Sequence, residues 1–237
     1  MQVYKKSVDN SVNLKGRLLY LMGATWHTKC MFDLDSDQDS FATVLQQNGI
    51  ETYTFDNSLN GHKQNVDFAV KLINCFKIDY VLGYSYGCIT ACDVATQTAI
   101  KGVMFLDPVS QSKVNKKRIG RDFLLTKQDV RSALVENNTH IIDNVSESYI
   151  HALSNSDTFV VPAYPMDVYR EYDYFKTNLL EKLNLQIFLT SQCTPESRNW
   201  FPNSTIYYPD SSHWIMLESG RYNLANDILQ KIFQLKG

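Results

Sequence analysis

Short apolar runs alternate with stretches whose apolar residues recur every three or four positions along most of this chain. Arg17 to Met22 (RLLYLM) is a continuous apolar run that stops at Gly23, the mark of a strand buried on both faces. Asp39 or Ser40 supplies an N-cap for a helix with Phe41, Val44 and Leu45 on one face, and Gly49 supplies its stop. Glu51 to Phe55 (ETYTF) reads as the next strand. A polar loop, DNSLNGH, follows, and then a helix with Val66, Ala69, Val70 and Ile73 on one face. Asp79 to Leu82 (DYVL) is a strand that runs into Gly83, and the helix after Gly87 presents small residues: Cys88, Ala91, Cys92 and Ala95. Further strands are expected at Gly102 to Leu106 (GVMFL), Gln186 to Thr190 (QIFLT) and Thr205 to Tyr208 (TIYY). The final helix carries Leu224, Ile228 and Ile232.

This alternation predicts an α/β fold, a mostly parallel sheet with helices on both faces. One segment breaks the rhythm. Residues 109–183 lack a clear strand–helix alternation and read as helical, polar and tyrosine-rich (Tyr149, Tyr164, Tyr169, Tyr172, Tyr174). That is more than a connecting loop, so it is expected to be a helical cap or lid inserted between two late strands. The core is then 1–108 with 184–237.

Composition narrows the classes. A chain of 237 residues with 44% hydrophobic and 20% charged residues can bury a full core, which excludes a largely disordered protein. A net charge of −2 argues against a protein built to grip nucleic acid. There is no apolar run of membrane-spanning length, and the polar start MQVYKKSVDN lacks the apolar core of a signal peptide. Five cysteines (Cys30, Cys75, Cys88, Cys92, Cys193) contain no CxxC pair. They are expected to be reduced thiols of a cytoplasmic protein, with no metal site and no cofactor.

The segment that carries chemistry is Gly83-Tyr84-Ser85-Tyr86-Gly87. It matches G-x-S-x-G, with a buried strand before it and a small-faced helix after it, the setting of a nucleophile elbow. A serine on so sharp a turn needs neighbours without bulk, and Gly83 and Gly87 stand two residues to either side. The turn lifts the serine hydroxyl above the sheet. It also leaves the Tyr86 backbone N–H at a helix start, where a developing oxyanion meets a donor and the positive end of the helix dipole.

With these residues in view, nearly the whole chain resembles the α/β-hydrolase family. LLYLMGATWHT resembles the family's strand and oxyanion loop, and SFATVLQQNGIETYTFDNSLNGH its next helix, strand and loop. GYSYG resembles the elbow, MFLDP the following strand, and DSSHWIML the terminal histidine loop. The resemblance implies acyl transfer through Ser85, with His213 as general base. It implies oxyanion donors at Tyr86 and Ala24, the latter from Met22-Gly23-Ala24, with Thr25 the neighbouring choice. Thr25, Trp26, His62 and Tyr84 are candidate substrate contacts, while His27, His140 and His151 fit the base position poorly.

The acid is the point of departure from the pattern. Many family members carry an Asp after the penultimate strand, where this chain has Ser191-Gln192-Cys193-Thr194-Pro195, with Thr194 in its place. Some lipases in the family place the acid one strand earlier, where this chain has Phe105-Leu106-Asp107-Pro108. Asp107 is therefore the leading candidate, Glu196 the alternative, and Asp210 or no acid the remaining options. Cys193 reads as an ordinary small side chain. The basic cluster Lys113, Lys116, Lys117, Arg118 and Arg121 reads as a solvated helix face rather than an anion handle. The expected function is hydrolysis of a carboxylic ester or thioester of a small molecule. An acyltransferase, a lactone or C–C bond hydrolase, and a ligand-binding member without catalysis remain alternatives.

Overall fold

The computed structural model describes residues 3–23, 40–55, 62–108, 123–126, 158–161, 184–191, 205–211, 215–217 and 220–235. In chain order the elements are β1 (Val3–Lys6), β2 (Gly16–Leu21), α1 (Phe41–Gln47), β3 (Ile50–Phe55), α2 (His62–Phe76), β4 (Tyr80–Tyr84) and α3 (Gly87–Gln97). They continue with β5 (Gly102–Leu106), β6 (Phe123–Thr126), β7 (Thr158–Val161), β8 (Leu185–Thr190), β9 (Thr205–Tyr208), a 3₁₀ turn at Ile215–Leu217 and α4 (Arg221–Gln234).

Among the described residues, seven strands form one sheet in the order β1-β3-β2-β4-β5-β8-β9. Every pairing is parallel except that of β1, which lies antiparallel on β3 with Val3 opposite Phe55 and Lys6 opposite Thr52. The chain runs outward from β2 to β3 on one side and through β4, β5 and β8 on the other. The reversal puts a crevice between the C-terminal ends of β2 and β4, the place where open parallel sheets bind ligands.

Burial explains why the strands read as continuous apolar runs. On β2, Leu18 and Tyr20 join α1 and α4 on one face of the sheet, packing with Phe41, Leu45, Leu224 and Ile228. Leu19 and Leu21 join α2 and α3 on the other, with Val66, Ala69, Cys88 and Cys92. Successive side chains of a strand point to opposite faces, so a sheet covered twice must be apolar at every position. Each such buried Leu contributes about 1.5–3 kcal/mol. The small residues expected on α3, namely Cys88, Ala91, Cys92 and Ala95, are all buried.

The caps follow the sequence reading. Ser40 is the N-cap of α1, its hydroxyl accepting from the Thr43 N–H at 3.1 Å, and Gly49 closes the turn after α1 at φ +88°. A Cβ at Gly49 would lie 2.5 Å from the Asn13 carbonyl oxygen, so both conformation and space require glycine. Strand β1 is an addition to the expected elements. Its VYKK alternates exposed and half-buried positions, a pattern too short and polar to stand out. Within 109–183, read from the sequence as helical, the described residues are instead two strands: β6 and β7 pair antiparallel, Phe123 opposite Val161. The rest of the expected helical cap, with its tyrosines and basic cluster, lies outside the described residues.

Candidate active site

Ser85 follows the last residue of β4 and adopts φ +53°, a left-handed conformation that a serine rarely takes. The turn holds through three backbone bonds. The Ser85 N–H donates to the Leu106 carbonyl at 2.9 Å, the Cys88 N–H to the Ser85 carbonyl at 3.1 Å, and the Ile89 N–H to the Tyr86 carbonyl at 3.0 Å. The two glycines are steric requirements. A Cβ on Gly83 would stand 2.6 Å from the Gly87 carbonyl oxygen and from Cys88 Cα. One on Gly87 would stand 2.0 Å from the Leu21 carbonyl oxygen. All of these atoms are backbone, so neither clash can be relieved by turning a side chain.

The end of β2 closes on the serine from the neighbouring strand. A Cβ on Gly23 would meet Ser85 Cβ at 3.1 Å and Ser85 Oγ at 3.5 Å. The bare backbone after β2 therefore lies against the half-buried hydroxyl of Ser85, and α3 begins two residues later at Gly87. The end of β2, Ser85 and the start of α3 thus lie close together at the C-terminal edge of the sheet.

Asp107 occupies the equivalent position on the adjacent strand. Tyr84 of β4 pairs with Leu106 of β5, so Ser85 and Asp107 are the next residues along two neighbouring strand ends. Asp107 also has a positive φ, +45°, and its N–H donates to the Phe188 carbonyl at 2.9 Å. Its carboxylate is 2% exposed and points toward the end of β8: Oδ1 accepts from the Thr190 N–H at 2.7 Å and Oδ2 from the Thr190 hydroxyl. An ionised carboxylate offers about four acceptor sites, so these two bonds orient it without exhausting it.

The segment leading to the histidine loop is tied to the same edge. The Ser211 carbonyl accepts both the N–H of Ser191 at 2.9 Å and its hydroxyl at 2.7 Å, one residue past β8. Beyond the loop, Ile215 and Met216 are fully buried in the core. His213 itself lies outside the described residues, as do Ala24, Thr25, Trp26, His27, Cys193 and Glu196. Asp210, the remaining alternative acid, is described and exposed.

The two other residues read from sequence as substrate contacts have buried side chains. Tyr84 is 1% exposed and its ring stacks on Tyr20, with centroids 6.5 Å apart, inside the core. His62, the first residue of α2, is 3% exposed. Its Nδ1 lies 3.0 Å from the Tyr86 hydroxyl and its Nε2 2.7 Å from Asp93 Oδ2. Asp93, which meets His62, and Thr190, which meets Asp107, are partners that the sequence reading missed. Neither carries a local signal, because each acts on a partner far along the chain. Among the described residues no group of His, Cys, Asp and Glu is disposed to hold a metal ion, and no helix is long and apolar enough to cross a membrane.

No family model matches the chain, and no curated protein matches it. Its similarity lies in solved structures. A monoacylglycerol lipase from Paleococcus ferrophilus aligns over 99% of this chain and 100% of its own, at 14% identity and a TM-score of 0.66. A lipase-esterase related protein from Clostridium acetobutylicum ATCC 824 aligns over 96% and 98%, at 13% identity and a TM-score of 0.61. MenH from S. aureus aligns over 99% of both chains, at 12% identity and a TM-score of 0.60. A parallel sheet matched end to end by these structures, with a left-handed serine between β4 and α3, is the α/β-hydrolase fold, and that is the fold of this chain.

Proposed function

We propose that this protein is a serine hydrolase that cleaves a carboxylic ester or thioester of a small molecule through an acyl-enzyme on Ser85. The observation that carries the reading is the conformation of Ser85. A φ of +53° between glycines that cannot accept a Cβ is a costly way to build a turn. It is a direct way to hold a hydroxyl above a sheet edge next to a helix N-terminus.

In this reading Ser85 Oγ attacks the carbonyl carbon and gives its proton to His213. The oxyanion that forms is met by the backbone N–H groups of Tyr86 and Ala24. Collapse breaks the bond to the leaving oxygen or sulfur, and His213 returns the proton to the departing alcohol or thiol. A water molecule repeats the sequence on the acyl-enzyme, releasing the acid and restoring the serine. Asp107 holds His213 in one tautomer. Its support is positional: Ser85, Asp107 and Ser191 end three adjacent strands, and Ser191 holds Ser211, two residues before the histidine.

A fluorophosphonate probe and a series of p-nitrophenyl esters of increasing chain length test this reading. The probe is expected on Ser85 by peptide mapping. Ser85→Ala and His213→Ala are expected to lower ester hydrolysis by roughly 10³–10⁶, with the double variant little worse than either. Near wild-type hydrolysis by Ser85→Ala, or absence of label on the folded protein, would overturn it.

A further inference from the structure

The site has a buried polar network that the acyl-transfer chemistry does not itself use. His62, at the start of α2, is wedged against α3 and bridges two side chains on one face of that element. These are the hydroxyl of Tyr86, immediately before the helix, and the carboxylate of Asp93, seven residues later. Two helical turns separate them, the spacing that brings both to the same face. His62 is 3% and Tyr86 5% exposed, and their rings meet edge to face with centroids 6.0 Å apart. The Asp93 carboxylate only accepts, so in the neutral imidazole Nε2 carries the proton and Nδ1 accepts the Tyr86 O–H. In that tautomer both ring nitrogens are engaged, and the network runs from tyrosine to histidine to aspartate.

We infer that His62 is a positioning residue for the oxyanion side of the elbow, holding the Tyr86 side chain against Asp93 so that the Tyr86 backbone N–H keeps its aim. This rests on the reading of Ser85 as an acyl-transfer nucleophile. Tyr86 stands between a serine in a strained conformation and the first residue of α3, and its carbonyl accepts from the Ile89 N–H at 3.0 Å. Its side chain reaches α2, and a hydroxyl tied at the far end of a rigid ring limits rotation of the whole residue. A donor displaced by about 1 Å loses much of its worth to a transition state, while ground-state binding through other contacts is spared. The geometry also explains why His62 is buried although it begins a helix at the active edge of the sheet.

The test compares wild type, Tyr86→Phe, His62→Gln and the double variant. The readouts are ester hydrolysis, the rate of Ser85 labelling by a fluorophosphonate, and the thermal midpoint. Tyr86→Phe keeps the ring and the backbone N–H and removes only the hydroxyl that His62 holds. It is expected to lower kcat and the labelling rate about tenfold, with KM changed less than about twofold. The double variant is expected to be no slower than the worse single variant, because the two residues act through one bond. Singles whose effects multiply in the double variant would overturn the inference. So would a lower thermal midpoint at unchanged kcat and labelling rate, which is the signature of a structural pair alone. Wild type that is folded but takes no label overturns the reading of Ser85 together with this inference. Labelled wild type alongside variants of equal rate overturns this inference alone.

Discussion

Replacing Asp107 by asparagine or by alanine disturbs the same two hydrogen bonds in different ways, and the contrast separates its catalytic from its structural role. Both partners belong to Thr190, which is fully buried. In Asp107→Asn the side-chain oxygen still accepts the Thr190 N–H, and the new amide donates to the Thr190 hydroxyl, which turns its own proton away. Asparagine also tolerates φ +45° as well as aspartate does. The loss is the charge assistance of two bonds, about 1–2 kcal/mol in all. In Asp107→Ala both Thr190 donors lose their acceptor in a buried place, costing about 2–6 kcal/mol. For a chain of this size each kcal/mol lowers the thermal midpoint by about 2–4 °C. The asparagine variant should therefore melt within roughly 8 °C of wild type and the alanine variant well below it. Activity should follow a different order. An amide cannot hold the histidine in the productive tautomer, so Asp107→Asn should lower kcat at least about a hundredfold although the fold survives. Glu196→Gln should change kcat by less than about tenfold. Thermal scanning and ester hydrolysis on the same samples check both halves. A folded Asp107→Asn variant with near wild-type kcat would reduce Asp107 to a clamp between β5 and β8. A large loss in Glu196→Gln alone would return the acid to the later strand.

Gly87→Ala should fail to give stable protein, with a cost of about 3 kcal/mol or more, because its methyl group would overlap the Leu21 carbonyl at 2.0 Å with backbone on both sides. Recovery of folded protein with an unchanged melting curve would contradict the packing of the elbow against β2. In the native protein a maleimide should label the exposed Cys75 and spare the buried Cys88 and Cys92, as peptide mapping will show. The Cys92 thiol is pushed up to about 12 by burial and then by neighbouring Asp93, which leaves almost no thiolate at neutral pH. Faster labelling of Cys92 than of Cys75 would refute that environment.

Most elements of the sheet and its helices, and the turn at the elbow, were legible in the sequence because their causes are local, whereas β1, β6 and β7 were not. A strand buried on both faces must be apolar throughout, so GVMFL announces itself with the bounds the structure shows, while TIYY, a half-exposed edge strand, is legible from its β-branched and aromatic residues. The elbow is five consecutive residues whose glycines answer to steric demands of the turn itself, so Ser85 can be named from its neighbours. The site's supports have no such signature. Thr190 clamps Asp107 across 83 residues, Asp93 meets His62 across 31, and the backbone after β2 reaches Ser85 only because β2 and β4 are neighbours in the sheet. Whether a histidine in a polar loop region faces a substrate or a buried tyrosine depends on how α2 lies against α3. Hydrophobic period gives each helix its buried face but not the residue it meets there. The side chains' chemistry is written in the chain, while their partners are decided by the order of strands in the sheet and by the packing of the helices on it.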